Sequence, residues 1–491
     1  RSAFVDAPGA IVLAQRSEAL NWRFETVSQA HLNGRRIPVP RGRGLGGSSL
    51  INGMVYFRGH PRDYDDWAAG GASGWSYREV LPYFCRSEHN ENFGPIFHGR
   101  SGPMNVRSVT RPNPLNFAFL EAVKELGFPS RVDLNGGETE GAALRQLSIR
   151  GGTRETTASA LLRPAMNRRN LDVLTRTRAT QIVLDGRRAV AVEARGERSP
   201  GNGSLMLHAR REIVLALGSI HSPQLLMLSG IGAGEHLSSM GIPVRHDLPG
   251  VGRNLHDHLA SPVHMGTSHP ASYGISARAL PRSALNLLEY LLLRSGPFAN
   301  NIFESAAFLK TAPDLDRPDV QLVFQPARRP PPSFPFPVGH GFAISPVGLY
   351  PRSRGRITLA SPDPLAPPHI DPQLLSVPED IEPLIRGMRL IRRIFASAAF
   401  APYHAHEIVP GPAAQSDADL AAYIRAQAYT VHHPVGTCRM ATDASAVVDP
   451  QLRVVGLEGL RIADAAVFPS IIGGNTNAVV VMVAEKASDM I

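Results

Sequence analysis

Cysteine is nearly missing: Cys85 and Cys438 are the only two in 491 residues. The two could pair, but so few in a chain this long argue against a disulfide-stapled scaffold and point to a reducing compartment with both thiols free. Lysine is almost as scarce, at Lys124, Lys310 and Lys486, so arginine supplies nearly all of the 51 basic side chains behind the net charge of +9. The arginines are spread along the chain and not interleaved with aromatics, which argues against a nucleic-acid partner. Long apolar runs are absent: residues 287–293, interrupted by Glu289, and 478–483 fall well short of the roughly 18 needed to span a bilayer. No repeat with a period of roughly 20 to 50 residues is visible. What remains is ordinary globular composition, 43% hydrophobic and 19% charged, in a chain long enough for two domains. This places the protein in the cytoplasm, with peripheral attachment to a membrane left open.

Local patterns mark several elements. Pro38 and Pro40 make a loop that leads into Gly42-Arg43-Gly44-Leu45-Gly46-Gly47, and apolar periodicity then predicts a helix from about Ser48 to Tyr56. Residues 172–195 alternate apolar and polar around Asp185-Gly186, the pattern of a hairpin. Residues 213–217 read as a buried strand, followed by a helix with Ser222 as N-cap and Pro223 at its first position, ending at Gly230. The proline cluster at 328–337 reads as a loop, and 380–394 as a helix with Pro383 in its first turn.

The segment 42–47 satisfies G-x-G-x-x-G, and Asp66 follows at about the 20-residue spacing of a ribose-binding acid. The dinucleotide fingerprint must follow a buried strand, however, and here Ile37-Pro38-Val39-Pro40-Arg41 precedes it. The glycines instead suit backbone approach to an anion near Ser48.

Four separated segments share a pattern. They are Gly42–Tyr56 followed by Tyr64-Asp65-Asp66-Trp67; Gly218-Ser219-Ile220-His221-Ser222-Pro223-Gln224 ending Ser229-Gly230-Ile231-Gly232; Leu248-Pro249-Gly250-Val251-Gly252-Arg253-Asn254-Leu255 with Asp257-His258; and His433-Pro434-Val435-Gly436-Thr437 with Gly474-Asn475-Thr476-Asn477. In order and spacing the chain resembles the glucose–methanol–choline (GMC) family of flavoenzymes nearly end to end.

The resemblance implies an α/β fold: an FAD-binding doubly wound domain plus a substrate-binding lobe built on an antiparallel sheet with helices. The FAD-binding part would occupy 1–262, the substrate lobe mainly 263–429, and 430–491 would return to the FAD domain with the catalytic residues; the family's C-terminal region would cover about 345–486. FAD contacts would come from Gly44, Gly46, Gly47, Asn52, Gly53, Met54 and Val55, from Ala179 beside the adenine, and from Asp464 and Ala465 near the ribityl chain and phosphates. Simple turn chemistry for the glycines and a helix cap at Asp464 are the plainer readings. Ile51 stands where some relatives carry the histidine that attaches FAD covalently, so the FAD is expected to be non-covalent.

Oxidising an alcohol removes a proton from oxygen and a hydride from carbon. The flavin takes the hydride, and imidazole suits the proton. His433 matches the family's catalytic histidine, with His432 as its rival. Asn475 matches a position that holds His or Asn, and its N–H suits a developing alkoxide. Asn477 is expected at the flavin edge or on the loop backbone. No metal site is expected, although His256-Asp257-His258 carries ligand-type residues. Glu304 offers a counter-charge for a choline-like alcohol but reads better as structural. The resemblance thus implies a primary-alcohol dehydrogenase or oxidase, choline-dehydrogenase-like, with oxygen or a quinone as acceptor. A hydroxynitrile-lyase-type enzyme is the alternative. The family's opening strand–loop–helix unit finds no match, so the sequence reads as a fragment with weak FAD retention and poor stability, or as an inactive remnant.

Overall fold

A computed structural model describes residues 2–196, 204–328 and 336–491. The first core grows from a parallel pair, Ile213–Leu215 against Leu460–Ile462, with Ile213 opposite Leu460. The helix Gly218–Leu228 follows directly and buries Ile220, Leu225, Leu226 and Met227 among Ile462, Val467, Phe468 and Val479. Each such aliphatic side chain removed from water contributes roughly 1.5–3 kcal/mol. This helix begins four residues earlier than Ser222, and Pro223 lies inside it. The proline has no N–H for the carbonyl of Ser219, and the Thr437 hydroxyl donates to that carbonyl instead at 2.6 Å.

The hairpin forms as its turn chemistry demands. Thr177–Asp185 pairs with Arg188–Gly196, Asp185 faces Arg188, and Gly186 supplies φ +56°. A third strand, Ser204–His208, extends the sheet beyond the pattern the sequence showed.

The helix expected over 48–56 does not form. A short 3₁₀ turn, Gly47–Leu50, gives way to the two-residue strand Val55–Tyr56. Gly46, Gly47 and Met54 all have positive φ, and the Asn52 side chain accepts the Met54 N–H at 3.0 Å. The apolar spacing was therefore that of a compact turn locked by an Asx contact. Pro38–Val39 upstream is a two-residue strand antiparallel to Phe24–Glu25, not the parallel strand a dinucleotide fingerprint needs.

The second core belongs to an antiparallel sheet. Its strands run in the order His406–Val409, Val263–Gly266, Gly341–Gly348, Val320–Gln325, Ser305–Leu309, Gly141–Leu144, with Leu259–Ala260 and Tyr429–Thr430 joined at the far end of Gly341–Gly348. One face is covered by Pro114–Glu125, Glu382–Phe395 and Asp417–Gln427, which bury Phe119, Leu384, Met388, Ile391 and Ile424 against Phe324, Phe342 and Ile344. Pro383 sits in the first turn of Glu382–Phe395, where its missing N–H costs nothing. The strand–helix unit and the antiparallel sheet are the two parts of the α/β architecture the resemblance implied. Most of the proline cluster, 329–335, lies outside the described residues.

Candidate active site

Pairing of Leu259 with Thr430 and of Ala260 with Tyr429 lays two distant segments side by side. The pairing continues irregularly: Val431 N–H donates to the His258 carbonyl at 3.0 Å, and His256 and Val435 exchange bonds of 3.1 and 3.0 Å. His258 and His433 are thereby held together, and Asp257 accepts the His433 backbone N–H at 2.7 Å. The two Nδ1 atoms are 3.0 Å apart. His258 Nε2 lies 3.0 Å from the Leu349 carbonyl. On its other side His433 Nε2 lies 3.2 Å from Asn475 Nδ2, and Gln321 Nε2–H donates to Asn475 Oδ1 at 3.4 Å.

Asn475 is placed by the glycines before it. Gly473 N–H donates to Asp63 at 2.7 Å, and a Cβ at Gly473 or Gly474 would run into the Tyr350 hydroxyl or the Phe57 ring. His433 and Asn475 both keep partly exposed surface, so the pair faces accessible space.

Burial sets the electrostatics. It drives the pKa of His433 well below the usual value for imidazole, and the neighbouring His258 adds to the effect. His258 falls to about 4 and His432 to about 3 for the same reason. Burial raises Asp257 to about 7, although Arg41 opposes it. The site rests with neutral imidazoles.

His432, the rival base, adopts φ +68°, and its carbonyl accepts from the Arg41 guanidinium. Arg41 thereby joins the glycine loop to the histidines. Within that loop Gly46 has φ +100° and its Cβ position is pressed by Ser49 and Ala158, whereas a Cβ at Gly47 would meet nothing within 4 Å. A groove of about 420 Å³ runs beside it, lined by Gly46, Thr157, Ala158, Leu161, Leu162 and Ala165. Gly44 has φ +142°. The Gly53 carbonyl accepts from Asn301, Met54 and Val55 are buried, and Asn52 also accepts from Arg154 at 2.9 Å. Arg43 and Arg178 both stack on Trp22, at 4.9 and 5.4 Å from the ring centre, so Ala179 next to Arg178 is brought to the glycine loop. Open glycine backbone, an adjoining groove and two nearby guanidinium groups suit a phosphorylated flavin nucleotide.

Asp464 is occupied inside the protein: it accepts from Gly218 N–H at 2.9 Å, the Ser222 hydroxyl at 2.6 Å and Ala466 N–H at 2.7 Å. It fixes the start of Gly218–Leu228, where a Cβ at Gly218 would meet nothing within 4 Å. Its neighbour Ala465 offers its carbonyl to Gly436 N–H at 3.0 Å. Asn477 opens the helix Asn477–Ser488, two residues beyond Asn475.

His256-Asp257-His258 diverges to separate partners, His256 accepting from Ile471 N–H at 3.1 Å and His258 facing His433. Among the described residues no three metal-ligating side chains converge. Glu304 is structural: it accepts from Asn113 N–H at 2.8 Å, the Tyr273 hydroxyl at 3.0 Å and the Asn116 amide. Cys85 and Cys438 are both unpaired. Sequence reasoning missed Gln321 and Arg41, which carry no local signal, and it saw His258 only as part of a motif, not as a partner of His433.

The family model for the GMC oxidoreductase N-terminal domain matches residues 10–260, and its C-terminal counterpart matches 351–484. This chain belongs to the GMC oxidoreductase family. It is 40% identical over 488 residues to an alcohol dehydrogenase [acceptor] of Pseudomonas putida, and 41% identical over 490 residues to an oxygen-dependent choline dehydrogenase of Rhizobium etli; each match covers 99% of this chain and 88% of the relative. Its fold superposes on pyridoxine 4-oxidase from Mesorbium loti with a TM-score of 0.88 and 31% identity, over 100% of this chain and 91% of that one.

Proposed function

We propose that this GMC oxidoreductase binds FAD non-covalently and oxidises the CH–OH group of a primary alcohol, with His433 as proton acceptor. The arrangement of His258 and His433 carries the reading. The Leu349 carbonyl can only accept, so His258 bears its proton on Nε2 and presents a bare Nδ1. His433 must then donate from Nδ1, which leaves the lone pair on Nε2. That nitrogen adjoins Asn475 and partly open space, where a substrate hydroxyl can reach it.

FAD, when bound, supplies the hydride acceptor. Gly44, Gly46, Gly47, Asn52, Gly53, Met54 and Val55 would hold it, with Ala179, Ala465 and Asn477 completing the contacts; Asp464, its carboxylate already bonded within the protein, would contribute by fixing the helix start at Gly218. Buried Ile51 offers no nucleophile for a covalent link. His433 Nε2 accepts the hydroxyl proton, Asn475 Nδ2–H donates to the oxygen as charge grows on it, and Gln321 keeps that amide turned correctly. The resulting imidazolium shares its Nδ1 proton with His258.

The acceptor for the reduced cofactor would be oxygen or a quinone. Two unpaired cysteines support a cytoplasmic location. Peripheral membrane contact, and with it a quinone, is supported by Leu280–Leu293, where Leu285, Leu291, Leu292 and Leu293 are 66, 59, 71 and 71% exposed, with Arg278, Arg282 and Arg294 also exposed. A division near 262 and 429 fits the way Leu259–Ala260 and Tyr429–Thr430 join the two parts. Anaerobic mixing of the flavin-loaded enzyme with a panel of primary alcohols tests the reading: bleaching of the flavin absorbance is expected, and retention of the oxidised spectrum with every alcohol would refute it.

A further inference from the structure

Arg145 is a buried guanidinium without a counter-charge. It is 5% exposed, and its Nε and Nη2 are sealed from solvent with no hydrogen-bond partner. Among the described residues no carboxylate pairs with it. Burial alone pulls its pKa down to about 9, with no acid raising it. A charge left in that state is costly, because desolvation is not offset by attraction or hydrogen bonding.

Its position is well defined. Gly141–Leu144 pairs with Ser305–Leu309, and Gln146–Leu147 pairs with Val55–Tyr56, so Arg145 lies between the antiparallel sheet and the strand that leaves the glycine loop. Its own N–H donates to the Glu304 carbonyl at 2.9 Å. Gln146 sends its side chain to Asn90 and Asp133, at 2.9 and 2.6 Å. Alternation along an extended chain turns Arg145 to the opposite face, shared with Leu147, which is buried with Met54, Val55, Phe57 and Leu349. Leu349 is the residue whose carbonyl orients His258, and His433 lies within reach of the Arg145 charge. The nearby buried carboxylates are committed elsewhere: Glu304 to Asn113, Asn116 and Tyr273, and Asp257 to His433 N–H.

We propose that Arg145 is an anion subsite of the active site, which selects alcohols bearing a carboxylate and disfavours cationic alcohols. The inference rests on the reading of His433 as the base and adds the substrate class. A carboxylate at the far end of a primary alcohol would supply the missing counter-charge through Nη1, the guanidinium nitrogen not sealed from solvent, and a trimethylammonium group there would meet like charge.

The test compares kcat/KM for 6-hydroxyhexanoate, 4-hydroxybutanoate, 1-butanol and choline on the flavin-loaded enzyme, together with calorimetric binding of butanoate. The better hydroxycarboxylate is expected to exceed 1-butanol by about 10- to 100-fold, and choline to rank last. In Arg145→Met that preference should collapse while 1-butanol is still turned over, and butanoate binding should vanish; Arg145→Lys should keep part of both. Turnover of 1-butanol with no advantage for either hydroxycarboxylate, or with choline preferred, overturns this inference alone. Bound flavin that no alcohol reduces overturns the underlying reading as well. If Arg145→Met fails to fold, the wild-type panel and butanoate titration still decide.

Discussion

The imidazole planes of His258 and His433 cross at 86° with their Nδ1 atoms 3.0 Å apart. Two nitrogens at that distance hold one proton between them, so the state of either ring fixes that of the other. Because the Leu349 carbonyl anchors His258 on its far side, the proton belongs to His433 Nδ1, and the basic lone pair is directed to the Asn475 side.

Removing the proposed base should slow the chemistry and spare cofactor binding. His433→Ala is expected to slow anaerobic flavin reduction by about 10²- to 10⁴-fold, the span usual for a positioned general base. Flavin content should stay at the wild-type level. Stopped-flow absorbance with a saturating alcohol measures both quantities, and reduction at an unchanged rate would remove His433 from the mechanism.

In the proposed mechanism His258 acts through His433, as a positioning residue. His258→Ala is expected to lower kcat by about 10- to 100-fold, as loss of an orienting partner commonly does. His258→Gln, whose side-chain oxygen can still accept from His433 Nδ1–H, should recover most of that loss. A merely structural role would give no such recovery.

Acid sensitivity follows from the direction of the histidine shifts. The proposed role of His433 as base needs its neutral ring, and burial holds its pKa well below the usual value. The neutral form therefore persists as pH falls through about 6.5, where a free imidazole would be half protonated. The His433 contribution to the kcat/KM profile of a neutral alcohol should be flat from pH 8 to about pH 6. In His258→Ala, more water around His433 should bring an acidic limb back toward 6.5. A wild-type limb already centred near 6.5 would count against the neutral, buried base.

Asn475 is assigned a donor role that an acid cannot fill. Asn475→Ala should cost about 10²- to 10³-fold in kcat, as for a lost oxyanion donor. Asn475→Asp should be worse, because its carboxylate repels the alkoxide and raises the pKa of His433. Equal rates for the two variants would show that the amide only shapes the space.

The leucine-rich helix gives a test apart from chemistry. Wild-type enzyme should co-sediment with vesicles containing phosphatidylglycerol, and a Leu288→Ser, Leu292→Ser double variant should remain in the supernatant. Both should reduce their flavin with a soluble alcohol at rates within about twofold of each other, since ordinary surface substitutions perturb little. Failure of the wild-type enzyme to sediment would leave the exposed leucines without a membrane role.

By itself the sequence determined what rests on adjacent residues. The hairpin was legible because Asp185-Gly186 forces a turn whatever surrounds it. His433 and Asn475 could be singled out as candidates because each sits in a short local pattern. The segment 48–56 misled because apolar spacing alone does not report the positive φ of Met54 or the Asx contact of Asn52. Only the tertiary structure decided which nitrogen of His433 keeps its lone pair, since that depends on His258, 175 positions away, and on a carbonyl a further 91 positions from His258. It alone showed Arg145 to be buried and unpaired. Protonation and charge compensation depend on what the folded chain places within about 3 Å of an atom, and sequence order does not record that distance.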